Sequence, residues 1–244
     1  MNFSKTKLIP EQKVRGGKIR RKVIVLGDAA CGKSWLLSTY SHGHPPKTDI
    51  STAVDIYVSH ISIDRSDLEL SVWDSSGLEE YEDMRRQTYH DAHLVLVCFS
   101  IANPASYRNV FFVWSLEAKS RLRNVPIILV GCKMDLRHEP KTLEDLAKRE
   151  RSPVSPEQVR TLKASCTQFI GFNMMKDMGA IAYFETSALS HQGLPELFEY
   201  AALAAIHKGS PSEEVFIPKS PVRQSLKKWK KPVSLSRLMS RSVS

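Results

Sequence analysis

Hydrophobic positions fall into short runs separated by polar, glycine- or proline-marked breaks. Val23-Ile24-Val25-Leu26, Leu94 to Phe99 and Ile127 to Val130 are continuous apolar runs. Such runs suit buried strands covered on both faces of a parallel sheet. Residues 55–63 and 68–73 alternate instead, which predicts two half-buried strands forming an antiparallel pair at the sheet edge. Ala180 to Phe184 predicts a last strand. Trp35 to Tyr40, residues 104–122 and Pro195 to Ile206 read as helices. The second opens at Asn103-Pro104, with proline in the first turn. Phe111, Phe112 and Trp114 are expected on its core face. Strands alternating with helices predict an α/β fold, a doubly wound, six-stranded, mostly parallel sheet flanked by helices. Ligands of such sheets bind at the carboxyl ends of the strands.

At the carboxyl end of the first strand stands Gly27-Asp28-Ala29-Ala30-Cys31-Gly32-Lys33-Ser34, followed by the helical pattern that begins at Trp35. Strand, glycine loop and helix are the context a phosphate-binding P-loop requires. Its glycines let backbone N–H groups approach phosphate oxygens, and the helix presents its positive end to the same anion. Lys33 is expected to reach the β- and γ-phosphates, and the Ser34 hydroxyl to ligate Mg²⁺.

Charge and cysteine change the picture at the ends and in the core. The net charge of +9 resides in the termini. Residues 1–22 and 219–244 together carry +15, leaving −6 for residues 23–218. Two basic arms on a mildly acidic body suit an anionic surface, either membrane or nucleic acid, or else solvated tails with no specific partner. No motif for specific nucleic-acid reading accompanies them. Cys31, Cys98, Cys132 and Cys166 have no paired spacing and read as free thiols of a reducing compartment. No apolar leader opens the chain, and no apolar run approaches the ~20 residues a membrane span needs. A cytoplasmic, monomeric protein is expected.

Further polar stations lie at strand ends. Asp74-Ser75-Ser76-Gly77 follows the third strand. A carboxylate there would hold the magnesium shell through water, and the Gly77 N–H would meet a γ-phosphate. Thr52 would complete the Mg²⁺ sphere. Cys132-Lys133-Met134-Asp135 closes the fifth strand. Asp135 can accept from the N1 and N2 hydrogens of guanine, a donor pair adenine lacks, and the Lys133 stem can lie along the base. The backbone of Ser187-Ala188-Leu189 would meet the guanine O6. A small-molecule P-loop kinase is disfavoured, since nothing suggests a lid or acceptor site.

These residues resemble the Rho family of small GTPases within the Ras superfamily. The likeness covers about residues 20–207 and rests on the P-loop, Trp73-Asp74-x-x-Gly77, Lys133-x-Asp135-Leu136-Arg137, Ser187-Ala188-Leu189 and a helix-prone insert at Lys141 to Arg149. Within the family it is most similar to the atypical Rnd branch, on Gly131-Cys132-Lys133, Asp74-Ser75-Ser76-Gly77, Thr142-Leu143, Pro153-Val154-Ser155 and Met178-Gly179-Ala180. The resemblance implies the P-loop small-GTPase fold with a Rho-type insert helix. It implies a basic N-terminal extension over 1–21, a G domain over 22–208 and a basic, serine-rich tail over 209–244. It implies that Gly27 to Trp35, with Thr52, Gly77, Cys132, Lys133, Asp135 and Ser187 to Leu189, bind GTP or GDP with Mg²⁺ held at Ser34, Thr52 and Asp74. Effector proteins would be read by a first switch around 45–57, at Val54, Asp55 and Tyr57. A second switch spans 75–90.

The sequence departs from the family pattern at the hydrolytic positions. Leu78 stands where a glutamine orients the attacking water. Ala29 stands where the family has glycine, and Ser76 where it has alanine. A hydrolysis-deficient, GTP-bound protein is therefore expected; the alternatives are a nucleotide-free scaffold and a slowly cycling GTPase. Pro45 occupies the place of an aromatic residue that covers the guanine, and Cys132 that of Asn or Thr. Both predict faster nucleotide release. The chain ends Arg241-Ser242-Val243-Ser244, without the cysteine that C-terminal prenylation needs, and begins Met-Asn, which excludes myristoylation. Leu226, Trp229 and Leu235 among the tail lysines and arginines suit weak contact with an anionic lipid surface such as the inner plasma membrane.

Overall fold

The computed structural model describes residues 19–46, 53–63, 66–160, 178–206 and 233–234. Seven strands form one sheet: β1 (Ile19–Gly27), β2 (Val54–Ile63), β3 (Ser66–Ser75), β4 (Leu94–Ser100), β5 (Ile127–Cys132), β6 (Ala180–Glu185) and the two-residue β7 (Val233–Ser234). Their order is β6-β5-β4-β1-β3-β2-β7. β1 pairs in parallel with β3 and β4, and β4-β5-β6 continue in parallel. β2 runs antiparallel to β3, as its alternating pattern predicts.

Two details differ from expectation. β1 begins at Ile19, inside the span read as a terminal extension, because Ile19 to Lys22 continue in register with Leu68 to Ser71. The C-terminal arm also supplies a strand, with Val233 and Ser234 opposite Val58 and Tyr57 on the β2 edge. The six expected strands thus gain a seventh at that edge.

Helices cover both faces: α1 (Lys33–His42), α2 (Glu82–Gln87), α3 (Pro104–Asn109), α4 (Ser115–Arg121), α5 (Pro140–Ala147), α6 (Pro156–Arg160) and α7 (Leu194–Ile206). Successive residues of β1 feed opposite layers, as strand geometry requires. Val23 and Val25 pack with Leu36 and Leu37 of α1 and with Leu197, Phe198 and Ala201 of α7. Ile24 and Leu26 pack with Val110, Trp114 and Ala118 on the other face. Each such aliphatic side chain contributes about 1.5–3 kcal/mol on burial. β1, covered twice, is the rigid base on which the glycine loop sits.

α3 begins as read, with Pro104 in its first turn and the Asn103 side chain accepting from the Ala105 N–H at 3.1 Å. It does not run to residue 122 as one helix, for Val110–Trp114 forms a π-helical turn before α4. Val110, Trp114 and Ala118 face inward at four-residue steps, which turns Phe112 outward. Phe112 is 59% exposed, not core as expected. The insert helix is α5. The stretch from Val159 to Ile170, longer than the family pattern, lies beyond residue 160 mostly outside the described residues, as do Thr52 and Cys166. Cys31, Cys98 and Cys132 are buried free thiols. Among the described residues no helix is long and apolar enough to cross a membrane.

Candidate nucleotide site

A cleft of about 1200 Å³ opens at the carboxyl ends of β1, β3, β5 and β6. It is lined from one end to the other by the glycine loop, the start of α1, the β2 entry, the Ser75–Leu78 turn and the loops after β5 and β6. Of the residues singled out from sequence, Ala29, Ala30, Gly32, Lys33, Ser34, Trp35, Val54, Asp55, Tyr57, Gly77, Leu78, Cys132, Lys133, Asp135, Ala188 and Leu189 line it. Gly27, Asp28, Cys31, Asp74 and Ser187 stand behind the lining and hold it.

The glycine loop is fixed by its own lysine. Lys33 is 6% exposed, and its Nζ donates to the carbonyls of Gly27 and Asp28 at 2.8 Å each. Gly27 has φ +146°, and a Cβ there would stand 2.3 Å from the Cys98 carbonyl oxygen. No other residue fits that close approach to β4. The first turn of α1 carries no acidic side chain, so an anion in the cleft meets an uncompensated helix N-terminus. The Asp28 carboxylate points away from the cleft. It accepts from Asn109 Nδ2 at 2.8 Å and Trp114 Nε1 at 2.7 Å, which ties the loop to the π turn.

Asp74 lies at the end of β3 and is fully buried. Neither of its carboxylate oxygens makes a hydrogen bond of normal geometry. Burial pushes its carboxyl up to about 6, against the pull of the Ser34 hydroxyl and the Lys33 ammonium. A buried carboxylate with so little hydrogen bonding is costly unless a cation compensates it. With the Ser34 hydroxyl nearby, the oxygen donors fit Mg²⁺, a hard cation that accepts one or two protein ligands and keeps its waters.

Three residues on, Gly77 rests directly on the glycine loop. A Cβ there would lie 2.3 Å from the Gly27 carbonyl oxygen and 2.5 Å from the Ala29 nitrogen. Leu78 follows with its amide donating to Ser76 Oγ at 3.2 Å and its carbonyl accepting from Arg85 Nη1 at 3.3 Å. Its backbone is thereby fixed while its hydrocarbon side chain, 37% exposed, borders the cleft.

Arg85 is a residue the sequence reading missed. It is 4% exposed, donates from Nε and Nη2 to the two Glu117 oxygens at 3.1 and 3.2 Å, and lies over the Trp114 ring at 5.1 Å. It also donates to the Ser76 carbonyl at 2.9 Å, and Tyr89 donates to Glu117. Nothing in the local pattern distinguishes Arg85 from Arg86, which pairs at the surface with Glu82.

At the opposite end Lys133, in the left-handed conformation at φ 60°, donates from Nζ to the Ala30 carbonyl at 2.9 Å. Its stem therefore stretches toward the glycine loop. Asp135 is exposed and faces the cleft. Ser187 is wholly buried. It accepts at Oγ from the Ser190 N–H and donates its own N–H to the Gln192 carbonyl, so its side chain shapes the turn that brings Ala188 and Leu189 to the cleft. Arg137 forks onto Glu185 with two 2.6 Å hydrogen bonds and reaches the Val154 carbonyl, joining the turn after β5 to the end of β6.

Tyr57, expected on an effector surface together with Val54 and Asp55, lines the cleft with both of them. It is 8% exposed and packs edge-on to His42, because alternate β2 residues, Tyr57 and Ser59 among them, turn inward.

A model of the Ras family matches residues 22–207, which includes every element of the cleft. The GTP-binding protein rho5 of Schizosaccharomyces pombe is 38% identical over 203 residues, covering 83% of this chain and 94% of its own length. The GTP-binding protein RHO1 of Saccharomyces cerevisiae is 38% identical over 191 residues, covering 78% and 86%. The rho1 protein of Schizosaccharomyces pombe is 37% identical over 194 residues, covering 80% and 90%. The chain belongs to the Rho GTPases of the Ras family. As a Rho GTPase it is a small signalling protein of a guanine-nucleotide-binding, effector-binding family, and its cleft is where such a nucleotide would sit.

Proposed function

We propose that this Rho GTPase is a hydrolysis-deficient switch that rests in the GTP-bound form, as the Rnd-like motifs suggest. The observation that carries the reading is Leu78, held by Ser76 and Arg85 so that hydrocarbon borders the cleft where a water-orienting side chain is needed. A complete site of this class hydrolyses GTP at only about 3–5 × 10⁻⁴ s⁻¹ unaided, and an activating protein adds roughly 10⁵-fold. Leu78 removes orientation of the attacking water. The Ala29 methyl, on the same wall of the cleft, crowds the space an arginine finger would enter.

The residues present suit GTP with Mg²⁺. Lys33 and the α1 N-terminus would hold the β- and γ-phosphates. Ser34 would ligate the cation, with Thr52, and Asp74 would act through water. Asp135 would read guanine, with Lys133 along the base. The cation, when bound, offsets phosphate charge. Effectors would be read on the switch segments, at Val54 and Asp55, and cytoskeletal signalling follows by family likeness. The basic tail would make reversible contact with an anionic inner membrane surface, and the protein would act as a monomer.

The test is nucleotide extracted from the purified full chain, then single-turnover hydrolysis with and without a Rho-type activating protein. GTP is expected, with no stimulated phosphate release. A chain that carries only GDP, or one that releases phosphate at an ordinary stimulated rate, overturns the reading.

A further inference from the structure

A purine held at its edge by one carboxylate needs a flat partner for its face. Stacking on an aromatic side chain is the usual source of that contact. Residues 45–56, which lead into β2, contain no aromatic side chain. Among the described residues that line the cleft, the aromatic ones are Trp35 and Tyr57. Tyr57 belongs to the opposite end, buried against His42 and near Asp55 and Asp74.

Trp35 is placed differently. It lies in the first turn of α1, directly after the Gly32 cap, Lys33 and Ser34. The Gly32 side of the helix start leans on the base end: a Cβ at Gly32 would stand 3.0 Å from Cys132 Cβ and 3.6 Å from Lys133 Cε. Trp35 lines the cleft together with Cys132, Lys133, Asp135 and Leu189. It is half-buried, although indole is large enough to fill a core.

We propose that Trp35 is the aromatic wall of the base subsite, on which a guanine read by Asp135 rests one face. This rests on the guanine-nucleotide reading above. Trp35 then supplies from the helix the contact that Pro45 withholds from the loop, and nucleotide release is slower than the loop alone would give.

The test uses the full chain loaded with a ribose-labelled fluorescent GTP and Mg²⁺. Trp35→Ala is expected to release it about ten- to a hundredfold faster, the effect of losing one base–aromatic stack. Trp35→Phe is expected to stay within about threefold of wild type, and Trp35→Leu to behave like Trp35→Ala. Inorganic triphosphate with Mg²⁺, which has no base, should compete equally well on every variant. If Trp35→Ala fails to fold, the Phe and Leu variants decide between ring and bulk. Wild-type release from both Trp35→Ala and Trp35→Leu overturns the proposal, as does a matching loss of triphosphate binding. A wild-type chain that takes up triphosphate but no guanine nucleotide overturns the guanine reading and this proposal with it.

Discussion

Each end of the cleft is held by an arginine forked onto a glutamate, but the two forks hold different things. At the phosphate end Arg85 joins Glu117 of α4 to the carbonyls of Ser76 and Leu78, so its cargo is the second switch. At the base end Arg137 joins Glu185 to the Val154 carbonyl, and its cargo is a loop between fixed elements. The Arg85 pair is the more deeply buried, 4% and 11% exposed against 15% and 17%. A switch segment held this firmly places Leu78 in one position, so its missing polar group is not repaired by local motion. The base end keeps its anchoring and its Lys133 and Asp135, and alters only the surfaces that touch the base. The proposed loss of turnover and the proposed retention of nucleotide would thus have separate structural origins.

The strongest test of that separation restores the phosphate end alone. Ala29→Gly with Leu78→Gln returns room for an arginine finger and an amide for the water. With a Rho-type activating protein, single-turnover hydrolysis is expected to rise by about 10³–10⁵-fold, while the release rate of unhydrolysed GTP stays within a few fold. No gain in hydrolysis would mean that the switch as held by Arg85 is itself incompetent.

The sequence displayed the chemistry of both ends but not their anchoring. Strand and helix periodicity, the Gly27–Ser34 loop and the strand-end carboxylates Asp74 and Asp135 are local patterns, readable within ten residues. Arg85 and Glu117 are 32 positions apart, and Arg137 and Glu185 are 48 apart. Their meeting is decided by the packing of whole layers, to which local patterning is blind. Phe112 differs from expectation for a related reason: it is two positions from both Val110 and Trp114, so it lies on the side of the helix opposite the inward face, and apolar character alone does not report that phase. The inward direction of Tyr57 is implicit in the period-two pattern of β2. The pairing of Val233 and Ser234 with β2 escaped because two residues among lysines and serines carry no strand signal.

A second test compares the forks directly. Glu117→Ala leaves Arg85 buried without its counter-charge, and a loss of about 3–5 kcal/mol in unfolding free energy is expected from urea titration. Amide exchange should accelerate at Ser76 through Leu78. Glu185→Ala leaves Arg137 better solvated, and a loss nearer about 1.5–3 kcal/mol is expected. Its faster exchange should appear around Met134 to His138 and leave the second switch unchanged. Equal losses, or faster exchange in the second switch for both variants, would show that the two ends are one cooperative unit.

The mildest test uses the buried thiols Cys31 and Cys132, which differ in their surroundings. Burial pushes the Cys31 thiol up to about 12, with Lys33 opposing. The Cys132 thiol is drawn below its ordinary value by the hydrogen bond from Cys98, with Lys33 and Lys133 assisting against burial. The thiolate is the reactive form, so at pH 7.5 Cys132 is the more nucleophilic of the two, and it borders the cleft where Cys31 does not. Iodoacetamide should modify Cys132 before Cys31 in nucleotide-depleted protein, as read by peptide mapping. Excess GTP with Mg²⁺ should slow that modification, because a bound base would cover Cys132. Raising the pH should increase labelling of Cys132, whose thiol is drawn down by the Cys98 hydrogen bond, before that of Cys31, whose thiol burial pushes up. Labelling of Cys31 first would reverse the assignment. Labelling of Cys132 at the same rate with and without GTP would place the base elsewhere than against the end of β5.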